Sequence, residues 1–146
     1  MPGTTAIGFA EGFGFLRWER GRPSVIRWLY DHACEADRSV IDGQSLNMPT
    51  GCAWVRYRDG APRCAVIVTQ GTVLTISQQA CKASDMRSLS RTMKRIERPG
   101  HVVESLNDWE ELWSVASPMH PGAGRLLEYF GFHQEPSGLY RRCAAS

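Results

Sequence analysis

From Pro23 onward, Val25, Ile26, Leu29, Ala33 and Ala36 recur at steps of three and four residues, the spacing that lines one face of an α-helix. Pro23 suits a first helical turn, whose N–H groups lack intrahelical partners in any case, and Gly43 closes the segment. The pattern therefore predicts a helix over Pro23 to Val40. After a loop at Asn47 to Gly51 the period shortens. Cys52 to Arg58 alternates, D-G-A-P turns the chain, and Arg63 to Thr69 is apolar and β-branched, which predicts a hairpin. Gln70-Gly71 makes a second tight turn into a third antiparallel strand at Thr72 to Ser77. Helical spacing returns with Met86, Leu89, Met93 and Ile96, so a helix is expected over Ser84 to Arg98, capped by Ser84 and Asp85 and ended by Pro99-Gly100.

The flanks are harder to read. The opening MPGTTAIGFAEGFGF mixes glycine with aromatic residues and suits a first strand or a loosely held arm better than a helix. HVVESLNDWEE fits neither period. LWSVAS reads as a short buried strand, Pro118 to Gly122 as an irregular turn, and Ala123 to Phe130 as a helix stopped by Gly131. Phe132 to Gln134 and Leu139 to Arg141 form a strand pair around Pro136-Ser137-Gly138. The order is (β)-α-β-β-β-α-β-α-β, an α/β fold in which an antiparallel meander continues into a parallel strand pair at LWSVAS, with helices on its flanks. Leu89, Met93, Trp113, Val115, Leu126 and Phe130 are the expected core positions of the elements that cover this sheet.

At 146 residues the chain has the length of one domain, and 42% hydrophobic content supports a core without staples. Its net charge of +2 points to no nucleic-acid partner. The longest wholly apolar run, Cys64 to Val68, is far shorter than the roughly 20 residues of a membrane span, and no basic region followed by an apolar stretch opens the chain. The expectation is a soluble protein without an export signal. The five cysteines are odd in number and form no C-x-x-C pair, so they read as reduced thiols, and the four histidines lack metal-ligand spacing, so no metal is expected.

Hydrolase, nucleotide-kinase and zinc-protease motifs are absent. One face of the Ser84 to Arg98 helix carries Arg87, Arg91, Lys94, Arg95 and Arg98, a stripe that fits a solvated surface or a phosphate grip. Trp18 and Trp28 lie among Arg17, Arg20, Arg22 and Arg27, a mixture found in cores and at interfaces alike. Glu110 and Glu111, beside Trp113, are exposed capping carboxylates or, at Glu111, a base for a substrate amine.

The C-terminal stretch SPMHPGAGRLLEYFGFHQEPSGLYRR resembles the end of a domain of the GNAT superfamily of N-acetyltransferases. There a helix of the form N-x-x-A-x-x-L-Y-x-x-x-G-F leads into a strand pair ending in an aromatic and a basic residue, and Ala123, Leu126, Gly131, Phe132, Tyr140 and Arg141 match. The resemblance implies a GNAT-like mixed sheet, with a V-shaped gap between the third meander strand and LWSVAS that seats the pantetheine arm. It also implies a coenzyme A pyrophosphate loop, R/Q-x-x-G-x-G/A, after that third strand. Gln79 fits the loop, but Lys82 and Ser84 replace its glycines, whose absent side chains let backbone N–H groups approach the phosphates. The Tyr that reprotonates the leaving thiolate is Leu127, Tyr129 is turned about 200° away on a helical wheel, and the helix-opening Asn is His120.

Leu112, Trp113, Arg125, Leu127 and Gly131 also resemble the L-W-x-x-V and R-x-L-x-x-x-G pattern of small acyltransferase-like proteins of podovirus-type phages, some of them internal virion proteins. Together the resemblances imply a degenerate acetyltransferase fold acting by binding a host or virion protein, in host cytoplasm or virion, with acetyl-CoA bound weakly or not at all. The alternative is an active acetyl-CoA-dependent N-acetyltransferase that holds the pyrophosphate through Gln79, Lys82 and Ser84 and uses His120, or bound water, for proton transfer. A homodimer stays open.

Overall fold

The computed structural model describes residues 3–41, 48–97 and 102–144. Two tight turns govern the middle of the sheet. Asp59-Gly60 and Gln70-Gly71 have φ of 55° and 76°, and 52° and 76°, the left-handed pair that a two-residue hairpin loop requires. They link β3 (Gly51–Arg58), β4 (Ala61–Thr69) and β5 (Thr72–Ser77) into the expected meander.

The opening residues form a hairpin, β1 (Thr4–Ala10) and β2 (Phe13–Trp18), which joins β3 along the register Phe13↔Arg56 to Trp18↔Gly51. A first strand was expected here, but not a second. Gly12 supplies the turn with φ of 77°, and alternating burial of Leu16 and Trp18 anchors β2.

The single helix expected from Pro23 to Val40 is two helices, α1 (Ser24–Asp31) and α2 (Glu35–Ile41). Between them Ala33 bridges Gln78, and the Cys34 N–H donates to the Ser77 carbonyl at 2.8 Å. Pairing with the end of β5 draws these residues out of helical geometry. The apolar period survives the break because Ile26, Leu29, Ala33 and Ala36 all turn inward. Gly43, the predicted stop, lies outside the described residues.

On the far face runs α3 (Ala83–Ile96). It starts one residue before the expected Ser84, its N-cap is Lys82 and not Ser84, and Asp85 in the first turn closes a capping box by accepting the Lys82 backbone N–H at 2.9 Å. Arg98 and Pro99-Gly100 lie outside the described residues. The stretch that fitted neither period contains a 3-10 turn at Leu106–Asp108, in which Ser105 Oγ accepts the Asn107 N–H, and Asp108 accepts that of Ser105. It then enters β6 (Glu111–Ser114). β6 stops short of the expected Ser117, so Val115 lies beyond the strand and is 38% exposed, against expectation. Leu89, Met93 and Phe130 are buried as expected, whereas Trp113 and Leu126 are half-buried.

The helix α4 (Ala123–Tyr129) ends at Gly131, whose φ is 87°. β7 (His133–Gln134) and β8 (Tyr140–Cys143) follow, and β8 inserts between β6 and β7 to give the sheet order β1-β2-β3-β4-β5-β6-β8-β7. Every described pairing is antiparallel except β5 with β6, which is parallel and touches at one position, Thr72↔Trp113. The buried Arg142 of β8 locks this end by donating to the carbonyls of Phe130 and Leu106, at 2.6 and 2.8 Å. Among the described residues no helix is long and apolar enough to cross a membrane.

Candidate functional site

β5 and β6 part immediately after they meet. The Trp113 N–H donates to the Gly71 carbonyl at 2.8 Å, Ser114 Oγ reaches across to the Val73 carbonyl at 2.9 Å, and β6 then ends while β5 runs on to Ser77. A cleft of about 690 Å³ opens in the divergence, walled by β5, α3, α4 and the loop before α4. This falls within the roughly 300–1,000 Å³ of small-molecule sites.

The cleft edge of β5 carries backbone polar groups. Val73 turns its carbonyl to Ser114, and Ser77 gives its N–H to Asp37 and its carbonyl to Cys34. Because peptide groups alternate along a strand, Thr75, midway between them and also lining the cleft, turns its own N–H and carbonyl to this same edge. An extended ligand could add to it as a further strand does.

Three cations border the same space: Lys82 at the start of α3, and Arg87 and Arg91, one turn apart on that helix, all exposed. Two of the five residues of the expected basic stripe, Arg87 and Arg91, thus face the cleft. Lys94 instead pairs with Glu97 and sits 5.3 Å from the Tyr129 ring centre. Gln79, Lys82 and His120, all singled out from the sequence, line the cleft. Ser84 is exposed and outside its lining. Glu111 is also outside, because β6 directs it across the sheet edge to Arg141, where Arg141 Nε meets its carboxylate at 3.1 Å. Tyr129, expected to face away, lines the cleft with Leu126 and Leu127; it is the last residue of α4, and its long ring spans toward Lys94 on α3.

Two further cleft residues, Cys34 and Asp37, were missed. The Cys34 thiol donates to Asp37 Oδ2 at 3.1 Å, His120 Nε2 lies 3.1 Å from Asp37 Oδ1, and Sγ and Nε2 are 3.8 Å apart. A carboxylate only accepts, so Nε2 carries the proton of a neutral His120 and Nδ1 holds the lone pair. Burial, aided by Asp37, pushes the Cys34 thiol up to about 11, so it is protonated at neutral pH and is no nucleophile. Cys81, also at the cleft, is held below the ordinary thiol value by a hydrogen bond from Cys64. The C-x-x-D spacing, which sets Cys34 and Asp37 one turn apart, was the one sequence signal for this cluster.

Neither the protein-family models nor the curated proteins compared with this chain give a match.

Proposed function

We propose that the cleft binds an acyl-coenzyme A thioester and that the protein is an N-acyltransferase of GNAT type with a modified phosphate grip. The observation that carries this reading is the divergence of β5 from β6 after one parallel pair, which opens an apolar cleft beside an unpaired strand edge. The free peptide of Thr75 would take a pantetheine amide. Lys82, Arg87 and Arg91 would meet the phosphates by charge, where the family uses bare glycine backbone. In the reaction an amine nitrogen attacks the thioester carbonyl, the C–N bond forms and the C–S bond breaks. His120 Nδ1 would accept the amine proton, and the leaving thiolate would take one from water or from Tyr129.

Other observations favour the binding-only reading, a degenerate phage-type protein that acts on a host or virion partner. Leu127 is buried where the family places its acid, and the Asp85 carboxylate already occupies the Lys82 N–H at the start of α3.

Calorimetry and thermal shift with acetyl-CoA test the proposal. Micromolar binding is expected, with stabilisation of about 2.7 kcal/mol at 100 times Kd. Leu126→Trp, which narrows the cleft, and Lys82→Ala with Arg87→Ala should each weaken binding at least about tenfold. No binding at millimolar acetyl-CoA overturns it. Binding without release of free thiol across a panel of amines transfers the case to the binding-only reading.

A further inference from the structure

We propose that Cys34, Asp37 and His120 form a three-ligand site for a zinc-type divalent ion on the wall of the cleft, with the fourth position open to the cleft. One donor atom from each of the three residues already lies within 4.8 Å of the other two. A tetrahedral ion with bonds of 2.0–2.3 Å sets its nitrogen, oxygen and sulfur ligands about 3.3–3.6 Å apart. Here Sγ and Nε2 are 3.8 Å apart and each lies 3.1 Å from a different oxygen of Asp37, Sγ from Oδ2 and Nε2 from Oδ1, so closing on an ion takes a turn of the carboxylate that brings one oxygen between them.

Each ligand is held from behind. Cys34 is tied to β5 through its N–H on the Ser77 carbonyl, and the Ser77 N–H fixes the Asp37 carboxylate at 2.7 Å. His120 sits in a hydrogen-bonded turn, its N–H on the Ser117 carbonyl and its own carbonyl accepting from Ala123. Such outer contacts orient ligands in metal sites.

The donor set selects the ion. Thiolate with imidazole suits zinc, whereas magnesium and calcium take oxygen ligands. On binding, the Cys34 thiol proton leaves to solvent and the His120 proton moves from Nε2 to Nδ1. Two anionic ligands then balance a divalent charge in this part-buried position. All three residues line the cleft, so water or an anionic group of a bound ligand takes the open position. The site does not depend on what else the cleft holds. With an ion on Nε2, the His120 Nδ1 would carry the proton and would no longer be free to accept one from an amine.

The test titrates the chelator-treated full chain with cobalt(II) alone, then with zinc as competitor. One equivalent should bind with thiolate-to-cobalt charge-transfer absorption, and zinc should displace it. Cys34→Ser should lose that absorption. His120→Ala, at a side chain 42% exposed and so compatible with folding, should weaken binding at least about tenfold. Cys143→Ser, at an exposed thiol outside the cleft, should change nothing. Failure to bind one equivalent, an unchanged affinity in His120→Ala, or loss of the absorption in Cys143→Ser in place of Cys34→Ser overturns the proposal. No coenzyme is present in this titration, so its failure leaves the acyl-CoA reading where it stood.

Discussion

Asp85 and Asp37 look alike locally and end up in opposite circumstances. Each lies in the first turn of a helix, each is buried, and each accepts a backbone N–H, Asp37 that of Ser77 at the end of β5 and Asp85 that of Lys82 at the start of α3. Asp85 faces β3, which brings Arg58 onto its carboxylate at 2.9 to 3.2 Å and Arg56 to 3.5 Å. Asp37 faces the cleft and meets a thiol and an imidazole. Permanent cations close the first cluster into a structural clamp between β3 and α3. The second is held by groups whose protons can leave, and it opens on a cleft, which is what a binding site needs.

The largest effect should come from breaking the clamp. Asp85→Asn removes the buried charge that Arg58 and Arg56 share, although Arg58 keeps Asp59 and the Ala80 carbonyl, and should cost about 3 kcal/mol in urea unfolding. Asp37→Asn removes no partner of fixed charge and should cost about 1–3 kcal/mol. Equal losses would erase the distinction between a closed and an open cluster.

Along α4 two leucines that both line the cleft differ in how deeply they are buried. Leu127 is 7% exposed and packs into the core, so Leu127→Ala should cost about 2–4 kcal/mol. The half-buried Leu126 belongs to the cleft wall, and Leu126→Ala should cost about 1 kcal/mol while changing ligand affinity. A larger loss at Leu126 would mean that the helix is rotated.

Acid titration sharpens the comparison further. Hydrogen bonds from Arg58 hold Asp85 down at about 2, against an ordinary 3.8. A depressed carboxyl contributes stability that is fully present above the unfolded value and lost as pH falls through the folded one. Unfolding free energy should therefore fall between about pH 4 and pH 2 in wild type, and more shallowly in Asp85→Asn. The smallest effect belongs to Glu111→Gln, which touches only a surface pair with Arg141 and should leave both the denaturation midpoint and cleft binding unchanged.

The sequence by itself determined the elements whose signals are local. D-G and Q-G demanded left-handed turns, alternation demanded the β3–β5 meander, and the spacing of Leu89 and Met93 demanded α3. Gln79, Lys82 and His120 could be picked out as candidates because a motif resemblance depends on chain order alone. Tertiary structure decided the rest. The break between α1 and α2 exists only because Ala33 and Cys34 pair with the end of β5, and an intact amphipathic period conceals it. Cys34 and Asp37 are 86 and 83 positions from His120, a separation no local pattern reports. They meet because β5 outruns β6 and the loop before α4 closes over the gap. Which carboxylate became a clamp and which became a candidate site was settled by the strand each one faced.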